Sequence, residues 1–184
     1  MSTAAWIAVV AVATVVVVGA IAWWIYRDRR TRGLRGTFGT EYERAMADAP
    51  TRREAEEELL ERQRRREDLD VVPLPAAARD RYLFEWRGVQ ERFVEDPASA
   101  IGEADELIQR VMRERGYPVE DFDQRAADLS VDHPDVVEDY RAAHGVARAH
   151  IRGEATTEDL REALLRYRSL FESLLDARET AGSH

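Results

Sequence analysis

The sequence contains neither cysteine nor lysine, so all 27 basic side chains are arginine. Without cysteine there is no disulfide, thiolate nucleophile, zinc knuckle or Cys-ligated iron–sulfur cluster. Without lysine there is no Schiff base and no Walker-type phosphate lysine. The ten glycines are scattered, so no phosphate-cradling loop is present. No His-Glu-x-x-His and no Gly-x-Ser-x-Gly spacing occurs either. Charge is also missing from the first 26 residues, although 36 acids and 27 arginines crowd the remainder and give a formal net charge of −9 over 184 residues. The chain is therefore split into one very apolar segment and one highly charged body.

Ala4 to Tyr26 is an unbroken run without Asp, Glu, Arg, His, Asn or Gln. As a helix rising about 1.5 Å per residue it spans roughly 34 Å, slightly more than a ~30 Å hydrocarbon layer. The Val15–Val18 stretch favours a strand in water, but a lone segment in lipid must close its own backbone hydrogen bonds, so helix wins. Trp6 lies near one end and Trp23, Trp24 and Tyr26 near the other, the aromatic placement of two membrane–water boundaries. A cleaved signal peptide would need a positive n-region, a shorter apolar stretch and a small-x-small site. Residues 1–5 carry no Arg, and Val18-Gly19-Ala20 is followed by more apolar residues, so a retained transmembrane helix is the better reading. Arg27, Arg29, Arg30, Arg32 and Arg35, against the single acid Asp28, then put the body in the cytoplasm and the N-terminus outside. We read this cluster as a topology signal rather than a lipid-specific site.

From Thr37 onward there are 22 arginines against 35 acids. A body this acidic repels nucleic-acid phosphates and an anionic leaflet alike. Over Thr40–Asp70 the spacing predicts one or two charged helices, with capping boxes at Thr40–Glu43 and Thr51–Glu54. Few apolar positions interrupt the second of these, which reads as a solvated spacer. Past Val71-Val72-Pro73-Leu74-Pro75 the pattern improves. Tyr82, Trp86, Val89 and Phe93 share one helical face. Asp96 caps the next helix with Pro97 at its first position, and Gly116 followed by Pro118 ends it. That helix presents Ile101, Ala104, Ile108, Val111 and Met112. A short helix buries Phe122, Ala126 and Leu129. Another, starting at Asp132-His133-Pro134, buries Val136, Val137, Tyr140, Ala143, Ala147 and Ile151 and ends at Gly153. Thr156 or Thr157 caps the last, whose face is Leu160, Leu164, Tyr167, Phe171, Leu174 and Leu175. Gly88 and Gly145, inside two of these helices, either allow close helix approach or have no structural reason in a chain this rich in Ala and Arg.

The fold class is thus all-α: an N-terminal transmembrane helix, charged linker helices and a soluble four- to five-helix bundle. The expected division is an outside tail (1–3), the transmembrane helix (4–26), an Arg-rich juxtamembrane neck (27–37), the linker (38–70), the bundle (74–177) and a disordered tail (178–184).

Chemistry is thinly represented. Asp128-Leu129-Ser130-Val131-Asp132-His133-Pro134 holds a serine, a histidine and two carboxylates, the raw materials of nucleophile and base. Adjacent residues rarely point at one another, and Ser130 or Asp132 capping a helix start is the cheaper explanation. His144 and His150 are six apart and share no helical face for a metal. Neither a catalytic, a cofactor nor a metal site is expected.

The stretch Arg115-Gly116-Tyr117-Pro118 through Phe122, Arg125-Ala126-Ala127-Asp128-Leu129-Ser130-Val131-Asp132-His133-Pro134 and Tyr140-Arg141-Ala142-Ala143-His144 resembles an uncharacterised bacterial family of high-GC type. Phe38-Gly39-Thr40-Glu41-Tyr42 and the Trp86…Phe93 pattern extend the likeness. The resemblance implies bacterial origin and an N-terminal membrane segment; that family has no assigned activity, so no site residues follow from it. The leading expectation is a single-pass plasma-membrane protein, held in the bilayer by residues 4–26, whose cytoplasmic bundle binds a protein partner or a second copy of itself. The runner-up is an enzyme or metal-binding protein using Asp128–His133. A third reading, a secreted helical domain after signal cleavage, predicts a mature N-terminus near residue 21.

Overall fold

The computed structural model describes residues 3–176, with the backbone alone described for 3–15, 26, 27 and 30. Residues 1, 2 and the tail from 177 onward lie outside the described residues. Eight helices and no strand occur among the described residues, so the chain is all-α. They are α1 (Thr3–Phe38), α2 (Thr40–Asp48), α3 (Arg52–Glu67), α4 (Ala76–Glu95), α5 (Pro97–Arg115), α6 (Phe122–Asp132), α7 (Val137–Ile151) and α8 (Thr157–Asp176).

Local chemistry explains most of the boundaries. Thr51, Asp96 and Asp121 each accept a hydrogen bond from the backbone N–H three residues on, satisfying a free amide at the starts of α3, α5 and α6. Thr156 and Asp159 cap α8 reciprocally: Asp159 N–H donates to Thr156 Oγ1 (3.2 Å), and Thr156 N–H donates to Asp159 Oδ2 (2.7 Å). Gly116 ends α5 at φ 97°, where Tyr117 N–H donates to Met112 O at 3.0 Å. A Cβ at Gly116 would also lie 2.3 Å from Asp70 O, so glycine is required for space as well as for backbone angle. Gly153 follows α7 at φ 75°. Two expected caps are absent. Thr40 begins α2 with no side-chain cap, Gly39 preceding it at φ 50°. Neither Ser130 nor Asp132 caps a helix, because both belong to α6; α7 starts without a side-chain cap after a turn through Pro134.

The main core is shared by α4–α8. Tyr82, Trp86 and Val89 of α4 face Ile101, Leu107, Ile108 and Met112 of α5 and Leu170, Phe171 and Leu174 of α8. Trp86 and Phe171 stack with ring centroids 4.6 Å apart. Most of the expected faces are buried; Phe93, Phe122, Val136, Ala147 and Leu164 are half-buried against the core, and Ile151 at the end of α7 is 84% exposed. Nothing packs within 4 Å of a Cβ built at Gly88 or Gly145, so neither marks close helix approach.

A smaller core lies beside it. Leu34 and Phe38 of α1, Tyr42 and Ala45 of α2, and Ala55 and Leu59 of α3 are buried together, with Val131 of α6 packed against them. The segment expected as a solvated spacer is therefore folded onto the bundle through α3 and α6. Two apolar side chains per turn pair suffice because α1 and α2 supply the rest of the cover. The expected neck is likewise not a separate linker: α1 continues without a break through residues 27–37 and buries Thr31, Leu34 and Phe38.

Candidate functional site

Three regions concern function: the exposed half of α1, the polar seam that joins the two cores, and the surroundings of Asp128–His133.

In α1 the side chains of Val16, Val17, Val18, Ile21, Trp23, Trp24 and Ile25 are between 40% and 64% exposed. Consecutive positions 100° apart cover the whole circumference, so this is not an amphipathic helix with one side turned to a core. Less than two turns beyond Ile25, at Thr31, the same helix is docked. Of the residues expected to set membrane position and topology, Trp23 and Trp24 stand on the exposed stretch, Arg32 pairs with Asp28 at 2.5 Å, and Arg35 pairs with Glu43 at 3.5 Å and lies over the Tyr42 ring. Arg29 is exposed. Trp6, Tyr26, Arg27 and Arg30 have side chains outside the described residues, as does much of the 4–26 run. Among the described residues no helix is long and apolar enough to cross a membrane.

The docked end of α1 is fastened by a buried glutamate. Glu56 Oε1 accepts from Thr31 Oγ1 (2.9 Å), Tyr42 OH (3.1 Å) and Arg52 Nε (2.9 Å), and Arg52 also donates to Thr31 Oγ1 (2.8 Å). Burial alone raises the Glu56 pKa, but these three donors outweigh it and hold the carboxyl below its ordinary value. A second buried acid, Glu41 of α2, is 1% exposed and accepts from Arg62 of α3 at 3.5 Å and, by a shorter contact, from Arg141 of α7. Arg44 donates to Glu138 at 2.9 Å, and Arg66 of α3 pairs with Asp132 at the end of α6. The small core thus meets the bundle through these ion pairs as well as through Val131.

The tempting cluster does not assemble as a triad. None of Ser130, Asp132 and His133 hydrogen-bonds another. Ser130 Oγ donates to Ala127 O at 2.6 Å. Asp132 Oδ2 accepts from Arg66 Nε and Tyr117 OH. His133 turns instead to Ser173 of α8, with Nδ1 2.7 Å from Oγ, and to Arg115, with Nε2 3.5 Å from Nη1. Since guanidinium offers only donors, the Arg115 contact favours the tautomer with its proton on Nδ1, facing Ser173 Oγ. Burial, aided by the Arg115 charge, pushes the His133 pKa down to about 4. Arg115 further donates to Leu174 O (3.0 Å) and Val72 O (3.4 Å), and its guanidinium lies over the Tyr117 ring. These contacts tie α5, α8 and the 68–75 loop together, a structural role. Asp128 is almost wholly buried; burial raises its pKa although Gln124 donates to it (2.7 Å) and Arg65, Arg66 and Arg62 lie near.

His144 stacks on Phe122 with centroids 3.7 Å apart, and burial lowers its pKa. Among the described residues no group of three or more metal-ligating side chains comes together. Ser173, Arg115, Tyr117, Glu41 and Arg141 were not indicated by sequence, because their partners lie far away along the chain; Arg141 and Glu41 are 100 residues apart. Compared with protein-family models, curated proteins and solved structures, the chain finds no match in any of the three.

Proposed function

We propose that the protein is a single-pass, membrane-anchored helical module that binds or scaffolds other proteins, with its N-terminus outside the plasma membrane and its acidic body in the cytoplasm. The observation that carries this reading is the circumference of α1, apolar and exposed on every side over residues 16–25, before the helix packs from Thr31 onward. Such a surface is stable in lipid and costly in water. The ten Val and Ile of the 4–26 run favour insertion by roughly 3 to 6 kcal/mol on a per-residue insertion scale. Signal cleavage near residue 21 would leave Trp23, Trp24 and Ile25 on a water-facing stub, which weakens the exported alternative. The enzyme alternative loses its motive when Asp132 and His133 point to different partners.

Continuity of α1 into the docked region supports a further feature of the anchor. The bundle follows the helix as one body, held by Glu56 at its base, so its orientation to the bilayer is set by helix packing. A scaffold benefits from a fixed presentation. Alkaline carbonate washing tests the anchor: the full-length chain stays with the membrane and leaves only with detergent. Full-length chain recovered in the soluble fraction refutes it. Crosslinking in intact cells, followed by detergent purification, tests the scaffold role; a chain that captures neither a partner nor a second copy argues against it.

A further inference from the structure

α4 packs on α5, with Trp86 stacked on Phe171 of α8, and the opposite side of the helix is bare. On that side Ala77, Arg81, Phe84, Gly88, Glu91 and Glu95 are all exposed. They step by 4, 3, 4, 3 and 4 positions, the spacing of a stripe along which one helix pairs with another. Phe84, at the middle of the stripe, is 74% exposed. One turn on, Gly88 leaves a notch: no atom lies within 4 Å of a Cβ built there, and a groove of about 290 Å³ opens beside it between α4 and α5. Helical side chains lean towards the N-terminus, so Phe84 points away from Gly88 of its own chain. A phenyl ring and an open notch, side by side on one stripe, fit each other in two different copies.

The charges set the direction of pairing. Parallel helices would hold Arg81, Glu91 and Glu95 each against its own copy, like charge on like charge. Antiparallel helices, related by a two-fold axis midway between Phe84 and Gly88, bring Arg81 opposite Glu91 and Ala77 opposite Glu95, each twice, while each Phe84 meets the other copy's Gly88. Glu91 and Glu95 have no ion-pair partner among the described residues. Arg81 gives Nη2 to Glu114 at 2.6 Å and holds Glu85 only at 3.8 Å, and a guanidinium with five donors is not exhausted by these. Beside the stripe, Glu85 is neutralised by Arg110 at 2.6 Å, and Arg87 stands four residues before Glu91 of its own chain, within reach of that carboxylate. Neither therefore opposes the pairing with an uncompensated like charge.

We propose that α4 is the surface on which two copies of the chain pair, antiparallel about a two-fold axis, with Phe84 of each seated at Gly88 of the other. The proposal rests on the scaffold reading and names its partner as a second copy. One helix pair is a small interface beside the roughly 1,200–2,000 Å² of a standard one, so the pairing is reversible and copies exchange. The chain has no cysteine, so introduced thiols report the register directly. Full-length Ala77→Cys and Glu95→Cys, in detergent micelles, are oxidised mildly, each alone and as a mixture. In the antiparallel pair the thiol at 77 faces the thiol at 95, whereas two thiols at the same position lie 95 − 77 = 18 residues, about 27 Å, apart along the stripe and cannot be bridged. Disulfide-linked dimers are therefore expected from the mixture alone. They are expected to be lost when Phe84→Gln, a change at a side chain that the monomer leaves exposed, is added to both chains, with circular dichroism showing that the helices are kept. A mixture that gives no dimer overturns the proposal. Dimers that form as fast from either variant alone overturn it too, as does a yield that Phe84→Gln leaves unchanged. The carbonate wash and the crosslinking in cells judge the anchor and the binding of other proteins separately, so a failed disulfide removes only the second copy at α4.

Discussion

His133 makes the protein acid-sensitive in a calculable way. Buried 7% exposed beside Arg115, its imidazole has a folded-state pKa of about 4, against about 6.5 for an unfolded histidine. The folded state therefore refuses a proton that the unfolded chain accepts. The stability that neutral His133 allows is intact above about pH 6.5 and is lost progressively as pH falls from there toward 4. At pH 5 the unfolded histidine is almost fully protonated and the folded one scarcely, a difference of about 2 kcal/mol; the full window of 2.5 units approaches about 3.4 kcal/mol. Carboxylates titrate nearby in pH, so the assay compares two proteins. Urea unfolding of the wild type and of His133→Gln, in detergent micelles, is followed at pH 7.5 and pH 5. Gln offers an acceptor to Arg115 and a donor to Ser173 without titrating. The stability difference between the two is expected to shift by about 2 kcal/mol in favour of the variant on acidification. An unchanged difference refutes the reasoning, because it would mean that His133 titrates alike in both states.

Other substitutions probe the seam and the turn. Glu41→Ala takes the buried carboxylate from Arg62 and Arg141, which are 13% and 15% exposed and keep only the more exposed Glu58 and Glu138, and is expected to cost about 3 kcal/mol, lowering the Tm by roughly 6–12 °C in thermal scans; a loss under about 1 kcal/mol means the pair is not buried in solution. Asp128→Asn runs the other way. Its raised carboxyl pKa marks an ionised form that the fold disfavours, so near pH 7 the amide is expected to be neutral or stabilising, and a loss above about 2 kcal/mol contradicts this. Gly116→Ala meets both a left-handed backbone and Asp70 O, with an expected cost of about 1–3 kcal/mol. Its control, Gly88→Ala in the open middle of α4, gains up to about 1 kcal/mol by denaturant titration.

Local signals were the legible ones. Asp96 with Pro97, and Gly116 with Pro118, fix helix ends through contacts three to five residues apart, and both act as their sequence suggests. The faces of α4, α5 and α8 were legible because many apolar side chains repeat at helical spacing. The partner of α3 was not. With Ala55 and Leu59 as its buried apolar residues, it looks like a helix surrounded by water, and the third buried side chain, Glu56, carries the charge that usually marks a surface. Its burial depends on Thr31, Tyr42 and Arg52 arriving together from three segments. Asp132 shows the same limit: beside His133 in sequence it reads as an orienting acid or a cap, whereas Arg66 of α3 and Tyr117 after α5 claim it. Ile151 fits the apolar repeat of α7, yet it lies on the last turn, beyond any element that could cover it.

The absence of cysteine allows the membrane claim to be tested with single introduced thiols. Val17→Cys lies on the exposed part of α1 and Ala77→Cys on the exposed surface of α4. Both are treated with a membrane-impermeant maleimide, first in intact spheroplasts and then in opened membranes. The account predicts that Ala77→Cys reacts only after opening and that Val17→Cys stays unreacted until the bilayer is dissolved and the chain unfolded. Rapid labelling of Val17→Cys in undissolved membranes, or of Ala77→Cys in intact spheroplasts, would contradict it.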